Sequence, residues 1–182
     1  MDTLLVLDNG SVYTKNLIHF LSQKKFNFTT LIHDKIKLSQ IAKFSHIILS
    51  GRIKNNQIMN VINSKVIEHA VLEKKPLLGI CYGAEILALT LGGTIKKTGS
   101  PQKGNNMIDV IKDNPICTGK LEVFESHSYE ISQLNNKLVG IAKSEHCKHE
   151  IIQHTDLDIF GTQFHPEMSV DGQKLIESFV NL

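Results

Sequence analysis

Arginine is almost missing from this chain. Among its 20 lysine and arginine residues, only Arg52 carries a guanidinium group. A guanidinium kept at a single position indicates that its planar, fork-shaped set of donors is needed there. The alternative interpretation is that Arg52 is an ordinary surface residue in a lysine-rich chain.

The chain also lacks an excess of either charge and any long apolar run. Its 20 lysine and arginine residues nearly balance 18 aspartate and glutamate residues, which gives a net charge of +2. This balance gives no reason to expect a nucleic acid as partner, although an anionic substrate or a protein partner remains open. No segment approaches the roughly 20 apolar residues that a membrane-spanning helix needs, so we expect no membrane association.

Cysteine is scarce and odd in number, with Cys81, Cys117 and Cys147. Because this is not the pattern of a disulfide framework, we expect a reducing, cytoplasmic setting. The apolar run at residues 4–7 is too short for the core of a signal peptide, so we expect no secretory leader. The HCKH tract at 146–149 lacks a second ligand pair, and no glycine-rich phosphate loop is present. We therefore expect neither a metal nor a cofactor.

The first half of the chain alternates short apolar runs with helical patterns. The predicted strands are residues 4–7, 28–32, 46–49 and 76–80, and the predicted helices are residues 13–23, 36–42, 58–73 and 83–91. This alternation predicts parallel strands with helices on both faces of the sheet. In such sheets, functional groups usually lie at the carboxyl ends of the strands.

The second half is richer in strands. Strands are predicted at residues 94–97, 107–111, 121–124, 138–142, 151–154 and 159–163, and an amphipathic helix at residues 170–180. Residues 96–106 are polar and contain glycine, which predicts a mobile loop. The length predicts a single domain over residues 1–182. We expect an α/β fold with a central, mostly parallel sheet flanked by helices and additional short strands in the C-terminal half.

Residues 79–83, GICYG, place Cys81 between two glycines where a predicted strand meets a predicted helix. This is the layout of a nucleophile elbow, in which the nucleophile has a strained backbone and small neighbours permit close packing. The helix N-terminus favours a thiolate and a developing oxyanion. We therefore predict that Cys81 is a nucleophile and that the Tyr82 N–H is an oxyanion donor. An inert buried cysteine is the alternative.

A cysteine nucleophile needs a base and a group that orients this base. His165 follows the predicted strand 159–163, and Pro166 ends that strand. Glu167 can accept a ring N–H from His165, which leaves the other ring nitrogen to face the thiol. We predict that His165 is the base and Glu167 its orienting carboxylate; a capping histidine in a loop is the alternative.

Three segments together resemble the class I glutamine amidotransferases, and the resemblance covers nearly the whole chain. They are GICYG at residues 79–83, ESHSY at 125–129 and GTQFHPE at 161–167. Residues 4–14 and 79–83 are most similar to the glutaminase subunits of GMP synthases. The His127-Ser128 segment also resembles the glutaminase subunits of anthranilate and aminodeoxychorismate synthases.

The resemblance implies that Cys81 attacks the side-chain amide of glutamine, or of a related amide, and forms a γ-glutamyl thioester. Water then releases glutamate, and ammonia passes to a partner. It also assigns Ser128 and Tyr129 to substrate binding. Because the chain is too short to contain a synthetase as well, a separate synthetase subunit is implied.

Two positions depart from the family pattern. Glu85 stands where the family has a substrate-contacting glutamine, and we assign Glu85 to substrate binding. The family has Ser-Gly-Gly-Pro after the third strand, and the N–H of its second glycine completes the oxyanion hole. This chain reads SGRI at residues 50–53, which places Gly51 and Arg52 at that turn. If the turn requires a positive φ, Arg52 is strained by roughly 1 kcal/mol or more.

These departures leave three interpretations of the pocket. In the first, Glu85 and Arg52 form an ion pair across the pocket. In the second, the pocket binds another γ-glutamyl or amide compound, with Glu85 meeting an ammonium and Arg52 an anion. In the third, the domain is a weak glutaminase that works only when docked on its synthetase. At the level of function, two alternatives to a glutaminase subunit remain: a stand-alone hydrolase or transferase, and a non-catalytic regulatory subunit.

Overall fold

The computed structural model describes residues 3–182. Its strands are β1 Leu4–Asp8, β2 Phe28–Ile32, β3 His46–Leu49, β4 Leu77–Ile80, β5 Thr94–Val110, β6 Lys120–Gln133, β7 Leu138–Lys143, β8 Ile151–His154 and β9 Ile159–Thr162. Its α-helices are α1 Thr14–Gln23, α2 Leu38–Ile41, α3 Gln57–Leu72, α4 Tyr82–Thr90 and α5 Val170–Val180. Short 3₁₀ turns cover His33–Lys35 and Pro166–Met168.

Side chains of the central strands alternate between two apolar cores. Leu4 and Val6 of β1 share a core with α1 and α5, whereas Leu5 and Leu7 share the other with α3 and α4. A strand sends successive side chains to opposite faces, so a run of four apolar residues needs a helix layer on each face. The predicted α/β class is therefore confirmed. Within residues 3–182, no helix combines the length and apolar character needed to cross a bilayer.

The sheet is mixed rather than mostly parallel. Its strand order is β2-β1-β3-β4-β9-β8-β7-β5-β6 in the described part of the chain. The four pairings from β2 to β9 are parallel, and the four from β9 to β6 are antiparallel. The expectation of a mostly parallel sheet is thus only half correct. Adjacent strands in the C-terminal half are joined without helices, and such connections favour antiparallel neighbours.

The predicted mobile loop at residues 96–106 is wrong. These residues lie within β5, which pairs with β6 along almost its whole length. The ladder is irregular between Thr94 and Ile95 and between Lys97 and Gln102, and Pro101, which has no N–H to donate, lies in the second interval. Pairing with a distant strand gives these polar residues an extended structure that their own sequence does not encode. The hairpin forms one wall of the candidate site.

Candidate active site

Cys81 occupies a strained turn between β4 and α4. Its backbone has φ 51° and ψ −104°, a conformation that costs a non-glycine residue about 1–3 kcal/mol. The Cys81 N–H donates to the Thr162 carbonyl at 2.7 Å, and its carbonyl accepts from the N–H groups of Ala84 and Glu85, each at 3.0 Å. Contacts with β9 and with the first turn of α4 therefore hold the turn that the GICYG segment predicts.

The two flanking glycines let backbones meet where a side chain would not fit. A Cβ on Gly79 would lie 2.4 Å from the Gly83 carbonyl carbon, and a Cβ on Gly83 would lie 2.4 Å from the Leu49 carbonyl oxygen. Real Cβ atoms do not approach other atoms so closely. The glycines thus allow α4 to start directly against β4 and the end of β3.

The Cys81 thiol is buried, and its surroundings favour the protonated form. Its Sγ donates a long hydrogen bond, 3.9 Å, to the Ser126 carbonyl, and not to His165. Burial raises its pKa well above the usual value, and the Glu85 and Glu167 carboxylates raise it further. Only the Tyr82 N–H, at the start of α4, acts in the opposite direction. The sequence suggested that the helix N-terminus would favour a thiolate, but desolvation outweighs that effect here.

His165 and Glu167 form a buried pair shortly after the end of β9. The His165 Nδ1 lies 2.9 Å from Glu167 Oε1, so that Nδ1–H donates to the carboxylate and Nε2 is left unprotonated in the neutral ring. The His165 N–H donates to the Phe124 carbonyl at 2.8 Å, and its ring packs 4.5 Å from the Tyr13 ring centroid. The predicted contact between His165 and Glu167 is present, while their catalytic roles stay predictions.

Gly51 and Arg52 form the turn after β3. A Cβ on Gly51 would come within 3.0 Å of the His165 ring, so a larger residue here would push on the imidazole. The φ of Arg52 is not positive, and the expected backbone strain at this position is therefore absent. The Arg52 N–H has no acceptor among residues 3–182.

The Arg52 side chain contacts Tyr82 and two asparagines and does not extend across the cavity to Glu85. Its guanidinium carbon lies 4.2 Å from the Tyr82 ring centroid, and Nη1 donates to Asn55 and, at 3.2 Å, to Asn60. The Tyr82 hydroxyl also donates to Asn60, at 2.8 Å. Within the described residues, Arg52 makes no ion pair with Glu85. The interpretation in which these two side chains pair is therefore wrong.

A buried amide pair beneath this turn was not predicted. The Asn9 Nδ2 donates to the Ser50 carbonyl at 3.1 Å and to Asn63 Oδ1 at 3.0 Å, and Asn63 Nδ2 donates back to Asn9 Oδ1 at 2.8 Å. The Ser50 hydroxyl accepts from the Asn9 N–H and donates to the Gly51 carbonyl, each at 2.9 Å. The signal available in the sequence was an asparagine directly after Asp8, which ends the otherwise apolar strand β1.

Glu85 lies in the first turn of α4 with only 5% of its surface exposed. Its Oε1 accepts from Gln163 Nε2 at 3.3 Å. Burial raises the pKa of Glu85, while the Gln163 N–H and the Arg52 guanidinium lower it. Positive charge on His127 or His165 acts in the same direction as Arg52.

His127 and Glu125 form a second buried pair, which the sequence did not single out as functional. The His127 Nε2 lies 2.9 Å from Glu125 Oε2, and Nδ1 donates to the Tyr129 carbonyl at 2.8 Å. Burial opposes charge on the ring, but Glu125 and the Tyr129 carbonyl together raise the pKa of His127. Behind this pair, burial and Glu125 raise the pKa of Glu150 to about 9.

These elements surround a cavity of about 570 Å³. Cys81, Tyr82 and Glu85 line it from α4, and Arg52 lines it from the turn after β3. The β5–β6 hairpin supplies the opposite wall, which includes Lys103, His127, Ser128 and Tyr129. Ser128 and Tyr129 are thus brought to the cavity, whereas Gly51, His165 and Glu167 are not among the residues that line it. The volume is in the usual range for a small-molecule site.

No group of three or more His, Cys, Asp or Glu side chains within residues 3–182 is arranged to hold a metal ion. In the HCKH tract, Cys147 and His149 are buried and His146 is exposed. All three cysteines are free thiols.

Comparison with known proteins identifies relatives over the whole chain. A family model described as glutamine amidotransferase class-I matches residues 5–181. The chain is 30% identical to a subunit of the glutamine-hydrolysing GMP synthase of Pyrococcus furiosus, over 98% of this chain and 97% of that protein. It is 32% identical to the glutamine-hydrolysing GMP synthase of Thermosipho africanus, but its 182 residues span only 36% of that relative's length.

A solved structure from Thermoplasma acidophilum, provisionally described as a GMP synthase subunit, superposes with a TM-score of 0.89. It is 26% identical in sequence, and the match covers 100% of this chain and 93% of that one. The mixed sheet and its helix layers are therefore shared with a protein of similar length.

Proposed function

The chain belongs to the class I glutamine amidotransferase family, and we propose that it is the glutaminase subunit of a GMP synthase-like enzyme. The observation that carries this proposal is the strained Cys81 turn on the wall of the cavity, together with the buried His165–Glu167 pair, whose carboxylate acts on the Cys81 thiol. The relative from Pyrococcus furiosus, matched over nearly its full length, supports the choice of GMP synthase. We infer one glutaminase domain over residues 1–182 and a cytoplasmic setting, which three free thiols support.

In the proposed first step, Cys81 Sγ attacks the side-chain amide carbon of glutamine. The thiol proton passes to His165 Nε2, and the Sγ–C bond forms as the carbonyl oxygen gains negative charge. The raised pKa of the thiol makes this proton transfer necessary, since little thiolate exists beforehand. Glu167 stabilises the resulting imidazolium through Nδ1–H. A movement of the Sγ away from Ser126 precedes this step.

Two backbone N–H groups are suited to the developing oxyanion. The Tyr82 N–H begins α4 and already interacts with the Cys81 thiol. The Arg52 N–H, in the turn at Gly51, has no acceptor among the described residues and needs no strained φ. Preorganised donors of this kind each contribute about 10²–10³ in kcat.

Collapse of the tetrahedral species breaks the C–N bond, and His165 returns its proton to the departing nitrogen as ammonia leaves. Water, deprotonated by His165, then attacks the γ-glutamyl thioester, and glutamate and the thiol are released. We propose that ammonia passes to a separate, ATP-dependent synthetase subunit, since the chain spans about a third of the Thermosipho GMP synthase.

The test is glutamate release from glutamine, measured with and without a candidate synthetase subunit, together with GMP formation in the complete mixture. We expect Cys81→Ser to abolish release and Cys117→Ser, a change outside the cavity, to leave it intact. A glutamine-mimicking electrophile should label Cys81 alone. Absence of both label and glutamate, with the synthetase present, would refute the catalytic proposal and favour a regulatory subunit. Aminated chorismate products in place of GMP would assign the chain to the anthranilate or aminodeoxychorismate synthases.

A second candidate is a stand-alone hydrolase or transferase on another γ-glutamyl or amide compound. The observation that favours it is the Glu85 carboxylate on the cavity wall, where the family has an uncharged amide. Turnover of a γ-glutamyl amide or of asparagine, faster than that of glutamine and unaffected by any synthetase, would select this candidate.

A further inference from the structure

The turn between β1 and α1 is held by its own side chains, and none of its residues lines the cavity. Asp8 Oδ1 accepts from the Gly10 N–H at 2.9 Å and from the Thr14 hydroxyl at 3.0 Å. The Ser11 hydroxyl accepts from the Tyr13 N–H at 3.1 Å. Gly10 has a φ of 88°, a conformation that favours glycine. The turn thereby fixes the backbone of Tyr13, which is the N-cap residue of α1.

The Tyr13 side chain extends from this turn to the proposed base. Its ring centroid lies 4.5 Å from that of His165, with an angle of 57° between the ring planes. The same ring packs edge-on against Phe124, with 5.6 Å between the centroids, and the hydroxyl donates to Ser126 Oγ at 3.2 Å. A packing contact on the ring and a hydrogen bond at its tip together restrain the orientation of the Tyr13 side chain.

The His165 ring needs such a neighbour, because its hydrogen bond to Glu167 restrains it along one edge only. Nδ1 lies 2.9 Å from Glu167 Oε1. The backbone N–H of His165 donates to the Phe124 carbonyl at 2.8 Å, which fixes the main chain but not the plane of the ring. One hydrogen bond permits the imidazole to tilt, and a tilt would move Nε2, the atom that must accept the thiol proton. The Tyr13 ring supplies the second restraint.

Tyr13 also acts on the charge that His165 acquires. The face of an aromatic ring carries negative potential and attracts a cation that lies within about 6 Å of the ring centroid. The His165 ring lies inside this distance, and it becomes an imidazolium when it accepts the Cys81 proton. Because the attraction grows as the charge develops, it favours the transition state over the resting enzyme.

We propose that Tyr13 is a positioning residue for His165, whose ring it holds in place for proton transfer and stabilises in the imidazolium form. The inference rests on the proposed function and adds to it a residue outside the cavity lining. The Tyr13 hydroxyl has the lesser part. It binds Ser126, whose carbonyl accepts from the resting Cys81 thiol at 3.9 Å, so it only fixes where the ring lies relative to that strand.

The experiment separates the ring of Tyr13 from its hydroxyl. Tyr13→Leu should lower kcat for glutamate release about 10- to 100-fold and leave KM within about twofold of the wild type. Tyr13→Phe keeps the ring and should retain about a third or more of the wild-type kcat. Val12→Ala, at an exposed position of the same turn, is the control and should behave as the wild type.

Two results of these kinetics would overturn the inference while glutamine hydrolysis stands. One is an unchanged kcat in Tyr13→Leu, and the other is an equal loss in Tyr13→Leu and Tyr13→Phe, which would assign the effect to the hydroxyl. Circular dichroism checks that each variant is folded. Tyr13→Met, which is also apolar and lacks an aromatic ring, replaces Tyr13→Leu if the latter does not fold.

A measurement without glutamine separates this inference from the proposed function. Iodoacetamide alkylates Cys81 as the thiolate, which His165 helps to form, and mass spectrometry follows the rate at this residue. Tyr13→Leu should slow the alkylation about 3- to 10-fold and add nothing in the His165→Ala background. Additive losses, or equal rates in the wild type and Tyr13→Leu, would overturn the inference. The expected rates in a wild type that releases no glutamate would uphold it and refute the proposed function alone.

Discussion

Asn9 and Asn63 exchange hydrogen bonds through their side-chain amides, at 3.0 Å and 2.8 Å, in the buried space between β1 and α3. The same Asn9 amide holds the Ser50 carbonyl, one residue before Gly51. A reciprocal amide pair is satisfied only when both partners are present, so the turn proposed to form the oxyanion hole depends on a contact outside the cavity.

Asn63→Ala should destabilise the fold, because it leaves the buried Asn9 amide without its partner. We expect a loss of about 1–3 kcal/mol in the free energy of unfolding, together with a fall in kcat as the Ser50–Gly51 turn loosens. Urea denaturation and steady-state kinetics measure the two effects. Asn136→Ala, at an exposed position between β6 and β7, is the control and should stay within about 0.5 kcal/mol of the wild type. An unchanged urea midpoint for Asn63→Ala would contradict the structural role.

Gly83→Ala should be far more damaging than its size suggests. The new Cβ would lie 2.4 Å from the Leu49 carbonyl, so α4 must shift away from β3 and carry Cys81 with it. We expect a loss of about 1–3 kcal/mol or more in stability and no labelling of Cys81 by a glutamine-mimicking electrophile. Gly99→Ala, where a Cβ meets nothing within 4 Å, should behave as the wild type. Normal labelling of Gly83→Ala would show that the turn tolerates the shift.

Two substitutions at Arg52 separate the contribution of its backbone N–H to catalysis from that of its side chain. Arg52→Ala keeps the N–H proposed for the oxyanion hole, and we expect it to retain most of kcat. Arg52→Pro removes that N–H and should lower kcat by about 10²–10³. Comparable kcat values for the two variants, both checked for folding by circular dichroism, would exclude this N–H as an oxyanion donor.

Glu150 should make the fold less stable as the pH rises. Burial and Glu125 raise its pKa to about 9 in the folded state, whereas an unfolded glutamate has a pKa of about 4.3. Below the unfolded pKa both states bind the proton; above it only the folded state does, so stability falls between the two pKa values. Glu150→Gln removes this dependence and should raise the free energy of unfolding by a few kcal/mol at pH 8, with little change near pH 4.

Urea denaturation at both pH values measures this effect. Glu145→Gln, on the exposed loop before β8, is the matched control and should follow the wild type at each pH. Parallel stability curves for Glu150→Gln and the wild type would mean that Glu150 is ionised in the folded state as well.

The sequence alone determined the features that local periodicity and short spacing encode. The strands β1 to β4 with their helices follow from apolar runs and 3.6-residue repeats, and the turn at Cys81 follows from its flanking glycines. The contact between His165 and Glu167 needs only two residues of separation and a proline between them. These patterns depend on neighbours in the chain, so a single sequence carries them.

Only the tertiary structure decided the rest, because each remaining feature joins residues that are distant in sequence. The polar segment before Met107 became a strand because β6 pairs with it. Burial, together with the Glu85 and Glu167 carboxylates, raises the pKa of Cys81, whereas the sequence predicted that the helix N-terminus would favour the thiolate. The Arg52 guanidinium packs on the Tyr82 ring, and the Gln163 amide donates a hydrogen bond to Glu85, a residue 78 positions earlier in the chain. Desolvation and long-range pairing are properties of the assembled core, and no local pattern records them.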